Sequence, residues 1–409
     1  ALLSWVLYGI YRAAQRSAYE LESLIFLLIS IGAAVTAAYD PASLYKLLIT
    51  VVMGMVLFLA MSGVLRDLHL SIRARWPVAI AAGALLAFNV VLGERIFGAK
   101  NWISIGPLSF QPSELVKIAF ILAGAATLDR LFAKRNLVFT ILFSAYCVGC
   151  LALMSDFGTA LIFFVAFLCI AFLRTGDLPS IAMMVAAAAF GCGIILRFKP
   201  YIADRFAAWR HAWDYAQDIG YQQTRTMSAM ASGGLFGVGP KDGWLKYVGA
   251  ANTDLVFGVV GEEFGFLLAL CCVAALVIPI VFTLRCAAAA RSSFYTILSC
   301  ATAAMLVCQM ALNVLGAVDL LPLTGVTFPF VSMGGSSMIS CWGLMAYLKA
   351  ADTRQNASFA LRLSKLAPQQ QEKKAAPAPK ARPKAPQEGF FAGRPDIPVD
   401  KIFGKEEDK

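Results

Sequence analysis

The sequence predicts an all-α membrane protein of about ten transmembrane helices, with one large extracytoplasmic loop between helices 7 and 8. Three observations predict it. Apolar residues make up 59% of the 409 residues and charged residues only 15%, with a mean hydropathy of +0.70, and a soluble chain of this length carries more charge. Apolar runs of roughly 17 to 25 residues recur, the length that crosses a hydrocarbon core of about 30 Å. Lysine and arginine gather in alternate loops.

Residues 1–20 form the first element, an apolar and aromatic stretch with Arg12 and Arg16 behind it and no charged region ahead of it. That pattern predicts an amphipathic interfacial segment rather than a cleaved leader. The polytopic domain, 21–350, follows. Its spans are expected near 21–39, 44–65, 76–93, 112–128, 137–154, 157–173, 179–197, 256–284, 293–318 and 328–348. From 351 to 409 the chain is rich in Ala, Pro, Gln and Lys, as in KKAAPAPKARPKAPQ. Such a composition cannot bury enough apolar surface to fold, so a disordered tail is expected.

An even number of spans puts both termini on one side. Arg12 and Arg16, then Arg66, Arg73 and Arg75, then Arg130, Lys134 and Arg135, then Arg174, then Arg285 and Arg291 all fall on that side with the tail, which the positive-inside rule makes cytoplasmic. The long segment of about 198–255 then faces outward. It mixes Lys199, Arg205, Arg210, Arg225, Lys241 and Lys246 with several Asp, three Trp and many Gly, and a loop of that length is the place to expect a polar site. A cytoplasmic (inner) membrane location also suits the ten cysteines, all within or at the ends of apolar spans, where thiols act as small hydrophobes.

Ionisable groups inside spans are costly and need a partner or a purpose. Glu114 and Lys117 sit three apart on one face of the fourth span, placed either to pair or to line an aqueous cavity. Asp156 lies in the tight turn Ser155-Asp156-Phe157-Gly158, where it can cap a helix. Asp254 stands at the start of the eighth span as an N-cap or as an acid–base carboxylate, with Glu262 and Glu263 about two turns deeper in the same helix. The glycine-rich run 232–241 lacks the Ser or Thr of a nucleotide loop after Lys241, although its amides suit a pyrophosphate. Residues 324–337, TGVTFPFVSMGGSS, break regular helix at the last span, which a membrane tolerates where backbone is buried in protein or lines a cavity.

Four of these stretches, NWISIGPLSFQPSELVK (101–117), SDFGTAL (155–161), NTDLVFGVVGEEFG (252–265) and LPLTGVTFPFVSMGGSS (321–337), occur in an order that resembles the shape, elongation, division and sporulation family of FtsW, RodA and SpoVE. The resemblance covers about residues 20–350. It implies a peptidoglycan glycosyltransferase that polymerises lipid II into glycan strands in division, elongation or sporulation, with a class B penicillin-binding protein as partner. It makes Asp254 the expected catalytic carboxylate, taking a proton from the acceptor hydroxyl while undecaprenyl pyrophosphate leaves.

Trp102, Gln111, Glu114, Lys117 and Asp156 are expected to support the substrate or the site, as are Arg210, Glu262, Glu263, Ser332 and Gly334. The leaving pyrophosphate calls for cations, from Lys117, Arg205, Arg210, Arg225 or a divalent ion such as Mg2+. No organic cofactor and no nucleic acid are expected. The chain departs from the family pattern at Asn252, where His is frequent, and at Met333, where Tyr is frequent. The competing reading is a lipid II flippase or transporter, since intramembrane charge and broken helices serve translocation as well; a scaffold leaves the clustered charges unexplained.

Overall fold

The structure is a computed structural model that describes residues 1–14, 18–96, 99–105, 108–127, 134–198, 200–288 and 293–355. Chain contacts separate a compact unit, Ala1–Arg362, from a second, Leu363–Lys409, which lies wholly outside the described residues. Expectations attached to Arg16, Arg130, Lys199, Arg291 and the tail from 356 onward fall outside them too, as do the side chains of Lys134 and Arg135.

The helices are α1 Leu2–Ala13, α2 Glu20–Tyr39, α3 Leu44–Val64, α4 Leu68–Arg73, α5 Arg75–Leu92, α6 Pro112–Thr127, α7 Lys134–Leu153, α8 Phe157–Thr175, α9 Leu178–Phe198, α10 Pro200–Ala208, α11 Tyr221–Gly233, α12 Val256–Glu263, α13 Phe266–Ala288, α14 Ser293–Ala317 and α15 Gly335–Gln355. Between α5 and α6 lies a small antiparallel sheet of β1 Glu94–Ile96, β2 Ala99–Ile105 and β3 Leu108–Phe110. Sequence reading gave no strands there.

Among the described residues, six stretches are long and apolar enough to cross a membrane: Glu20–Tyr39, Pro41–Val64, Arg75–Leu92, Phe157–Thr175, Phe266–Arg285 and Ser293–Ala317. The remaining four expected spans correspond to α6, α7, α9 and α15, which are shorter in their apolar part or more polar. α14 sits at the centre: 67% of its apolar window is buried against protein, compared with 22% for α5 at the periphery. It packs on α6, α8, α13 and α15. Pro279 interrupts the hydrogen-bond ladder inside α13, because it has no N–H to give to the Ala275 carbonyl one turn earlier; the Thr283 hydroxyl donates to the Pro279 carbonyl at 2.8 Å.

Three expected boundaries are corrected. The eighth span is two helices, α12 and α13, broken at Phe264-Gly265. Gly265 has φ +91°, and an added Cβ would stand 2.3 Å from the Leu235 carbonyl oxygen, so the loop backbone presses where the helix would continue. The exposed helix ends are satisfied by that loop. Phe266 and Leu267 N–H donate to the Gly234 and Leu235 carbonyls, while Val238 and Gly239 N–H donate to the Glu262 and Glu263 carbonyls.

The last span starts at Gly335 rather than near 328, because residues 322–334 fold back as irregular backbone. The segment 198–255 is not loop throughout, since α10 and α11 lie within it among turns. α11, though polar, buries Gln223, Thr224, Thr226 and Ala229 against neighbours that include α12 and α14.

Candidate active site

Asp254 lies in the turn ahead of α12. Leu255, not Asp254, occupies the N-cap of that helix, and no side chain caps it, so the capping alternative fails and the carboxylate is left for other work. Three contacts fix this turn. The Ser332 hydroxyl donates to the Thr253 carbonyl at 2.6 Å and accepts from the Phe328 N–H at 2.8 Å. Met333 N–H donates to the Asn252 carbonyl at 3.0 Å. The Asn313 amide on α14 donates to the Asp254 carbonyl at 2.8 Å and to the Val326 carbonyl at 2.7 Å. The irregular segment 324–334 therefore lies directly against the Asp254 turn. Gly325 faces the carboxylate, and the two positions at which the chain departs from the family pattern touch each other, Asn252 Nδ2 lying 3.5 Å from Met333 Sδ.

Burial pushes the Asp254 carboxyl up to about 6; the Thr253 hydroxyl and the Arg205 guanidinium pull it down, and Asp156 adds a smaller push upward. Although half-buried by area, the carboxyl is thus held near neutrality by its surroundings, which is where a general base works best. Arg205 also donates to the Leu323 carbonyl at 2.5 Å, which fixes α10 over the same segment.

Asp156 does more than cap. One carboxylate oxygen accepts from the Thr159 N–H at 3.2 Å, and the other accepts from Asn101 Nδ2 at 3.0 Å and Gln111 Nε2 at 2.9 Å. This carboxylate ties β2, the start of α6 and α8 together, so Gln111 acts through Asp156. Trp102, next to Asn101, is half-buried and pairs with Glu94 across the sheet.

Glu114 and Lys117 form an ion pair at 2.8 Å whose side chains are 6% and 0% exposed. The Lys117 ammonium also donates to Gln309 Oε1 at 3.0 Å, and Gln309 Nε2 donates to the Thr327 carbonyl at 3.0 Å. Its route to the site is through α14 and the 324–334 segment, whereas Arg205 is the cation whose field reaches Asp254 directly. Gly334 packs on Thr327 and Ser337, with room for a Cβ only at 3.2 to 3.3 Å from them.

The remaining expected residues organise the loop. Glu262, 1% exposed, accepts the N–H groups of Trp244 and Leu245 at 2.8 and 3.0 Å, and Glu263 is equally buried. Both belong to the short α12 rather than to a deep span. Arg210, itself exposed, gives its backbone N–H to Asp319 at 3.1 Å; Ala212 N–H and Gln223 Nε2 join it at 3.3 and 3.0 Å. Arg225 lies over the Tyr221 ring. The glycine-rich run offers no anion cradle at Gly237, Val238 and Gly239, whose amides are spent on the carbonyls of Gly233, Glu262 and Glu263.

Sequence reading missed Asn313, Gln309, Gly325 and Asp319. Two buried amides four residues apart in an apolar helix were the available signal, since polar side chains in a span need partners across helices. It also missed Glu22 and Lys349, a buried pair at 3.1 Å joined by the Tyr11 hydroxyl, which donates to Glu22 at 2.7 Å. That pair ties α1, α2 and α15 together.

The chain as a whole matches known proteins. The FtsW/RodA/SpoVE family, described as cell cycle protein, matches residues 20–357. A probable peptidoglycan glycosyltransferase FtsW of Saccharophagus degradans is 28% identical over 83% of this chain and 93% of its own. A peptidoglycan glycosyltransferase RodA of Mycobacterium leprae is 30% identical over 77% of this chain and 70% of its own. Among solved structures, one described as structural coordination of polymerization and crosslinking by a peptidoglycan synthase complex superposes with a TM-score of 0.69 at 27% identity, covering 82% of this chain and 98% of that one. The crystal structure of the Thermus thermophilus rod shape determining protein RodA gives 0.63 at 25%, covering 83% and 98%. By a match that takes in every helix of the site, the chain belongs to the FtsW/RodA/SpoVE family of multi-pass membrane proteins.

Proposed function

We propose that this chain is a peptidoglycan glycosyltransferase that polymerises lipid II on the outer face of the cytoplasmic membrane, with both termini inside and a class B penicillin-binding protein as its partner. The observation that carries the reading is Asp254, a half-buried carboxyl pushed up to about 6 by its surroundings and clamped between α14 and the 324–334 segment. The names of the relatives, peptidoglycan glycosyltransferase in both FtsW and RodA, support the reaction class, and the synthase complex among the structural neighbours supports a partner.

In this mechanism Asp254 accepts the proton of the acceptor's GlcNAc 4-hydroxyl as its oxygen bonds to the donor's MurNAc anomeric carbon. The bond from that carbon to the undecaprenyl pyrophosphate breaks, and the departing charge is met by Arg205. Among the described residues no group of three or more His, Cys, Asp or Glu stands ready to hold a metal ion. A Mg2+ would come with the pyrophosphate, and no step here is routed through it.

The test is polymerisation of lipid II by purified protein, with a cognate transpeptidase, for the parent and for Asp254→Ala. Strands from the parent and none from a folded variant support base catalysis, and equal activity refutes it. Vesicles that move lipid II across the bilayer without polymerising it would instead make the protein a transporter.

A further inference from the structure

α14 presents two amide side chains one turn apart, Gln309 and Asn313, both buried to within 1%. Each donates to the irregular segment opposite: Gln309 Nε2 to the Thr327 carbonyl, Asn313 Nδ2 to the Val326 carbonyl at 2.7 Å. The Asn313 amide makes a second bond, 2.8 Å to the carbonyl of Asp254. One nitrogen thus holds together the strand of chain that carries Asp254 and the strand that carries Gly325, whose Cα hydrogens face the Asp254 carboxylate.

The other end of the same amide is informative. Asn313 Oδ1 is buried without a hydrogen-bond partner, an arrangement that costs stability. An asparagine kept for packing alone would be better replaced by an apolar side chain of the same branching, such as leucine. What leucine cannot supply is the pair of donors that sets the spacing between the carbonyls of residues 254 and 326.

We propose that Asn313 is a positioning residue for the glycosyl transfer: its two amide hydrogens fix the Asp254 carboxylate in the orientation from which it takes the acceptor proton. The inference rests on the reading of Asp254 as the base. The Asn313 amide donates to backbone carbonyls and is buried away from solvent, so it acts on the rate through Asp254 and not through substrate affinity. Displacement of a reacting group by about 1 Å costs on the order of 100-fold in rate, and the loss of both bonds removes the tie to α14, leaving Ser332, Met333 and the turn's own bonds to the Ala250 carbonyl.

The experiment compares the full chain with Asn313→Leu, Asn313→Ser and Asp254→Asn in lipid II polymerisation and in amide hydrogen exchange. Asn313→Leu is expected to lower kcat about 10- to 100-fold with KM within about twofold, to alter the acid limb of the pH–kcat profile, and to speed exchange in residues 252–256 and 325–328 alone. Asn313→Ser, which keeps one donor, is expected to recover part of both; it also serves if the leucine variant fails to fold. Parental kcat, or unchanged exchange in those two segments, overturns the inference while an inactive Asp254→Asn leaves the catalytic reading standing. A fully active Asp254→Asn overturns both.

Discussion

Gly325 and Asp254 face each other closely enough that a single methyl group would be felt: an added Cβ at Gly325 would stand 3.3 Å from Asp254 Oδ2, and Gly325 has φ +73°. Both constraints act together in Gly325→Ala. The left-handed backbone costs roughly 1–2 kcal/mol for a residue with a Cβ, and the methyl group crowds the carboxylate. Thermal melting should fall by a few degrees, and lipid II polymerisation should fall further than that loss of stability explains. Parental activity in a folded Gly325→Ala protein would show that the carboxylate does not need this space.

Asp254 also sets a pH dependence. A base must be unprotonated, so activity should rise with pH through about 6 and level off above it. Arg205→Gln removes the guanidinium that pulls this carboxyl down, so the acid limb should move to higher pH; an unmoved limb would assign it to another group. The stability effect has the opposite sense. A carboxyl raised above its ordinary value of about 3.9 contributes stability that is present below that value and is lost as pH rises through about 6. Asp254→Asn should therefore melt higher than the parent at pH 8 and no higher at pH 4, while losing activity at both.

The spans were legible because the bilayer imposes one length and one composition on them. α2, α3, α5, α8 and α14 all begin and end within a few residues of the expected places. The break between α12 and α13 was not legible. It depends on the Gly234-Leu235 backbone arriving from a segment some thirty residues earlier, and no local pattern encodes such a meeting. The hairpin in β1 to β3 left a faint trace, the alternation in Asn101-Trp-Ile-Ser-Ile105 ahead of Gly106-Pro107, but it is shorter than the apolar runs around it. Asp254 was readable from its motif. Asn313, which holds it, was not, because an amide in an apolar helix declares a need for a partner without saying which.

Lys117 and Glu114 test what a buried ion pair contributes. Removing one partner leaves the other charged and desolvated, so Lys117→Met should destabilise by about 3–5 kcal/mol. Lys117→Met combined with Glu114→Gln removes both charges and should recover most of that loss. Denaturation in detergent of the two variants decides the matter. A double variant no more stable than the single one would mean that Lys117 is needed chiefly for its bond to Gln309.

Asp319 is the point at which the turn after α10 is anchored. It is buried, has φ +59°, and receives three donors from residues 210, 212 and 223. Asp319→Ala orphans those donors, with an expected cost of about 1–3 kcal/mol each where they stay buried. Because the donors lie near one another, the segment 209–223 should open locally before the protein unfolds. Limited proteolysis should cut there first in the variant, and a cleavage pattern identical to the parent's would exclude this anchoring role.

The Asn252 and Met333 pair makes the last prediction, because the chain departs from the family pattern at both positions and the structure puts the two side chains in contact, Nδ2 to Sδ 3.5 Å, with Met333 N–H on the Asn252 carbonyl. Contacting pairs show coupling energies of about 0.5–3 kcal/mol. Asn252→His alone places a larger ring against the thioether, and Met333→Tyr alone places a phenol against the asparagine amide. Each single change should lower both melting temperature and activity. Together they recreate the His and Tyr frequent in the family, and the double variant should lie closer to the parent than the sum of the singles predicts. Additive losses would mean that the contact carries no energy.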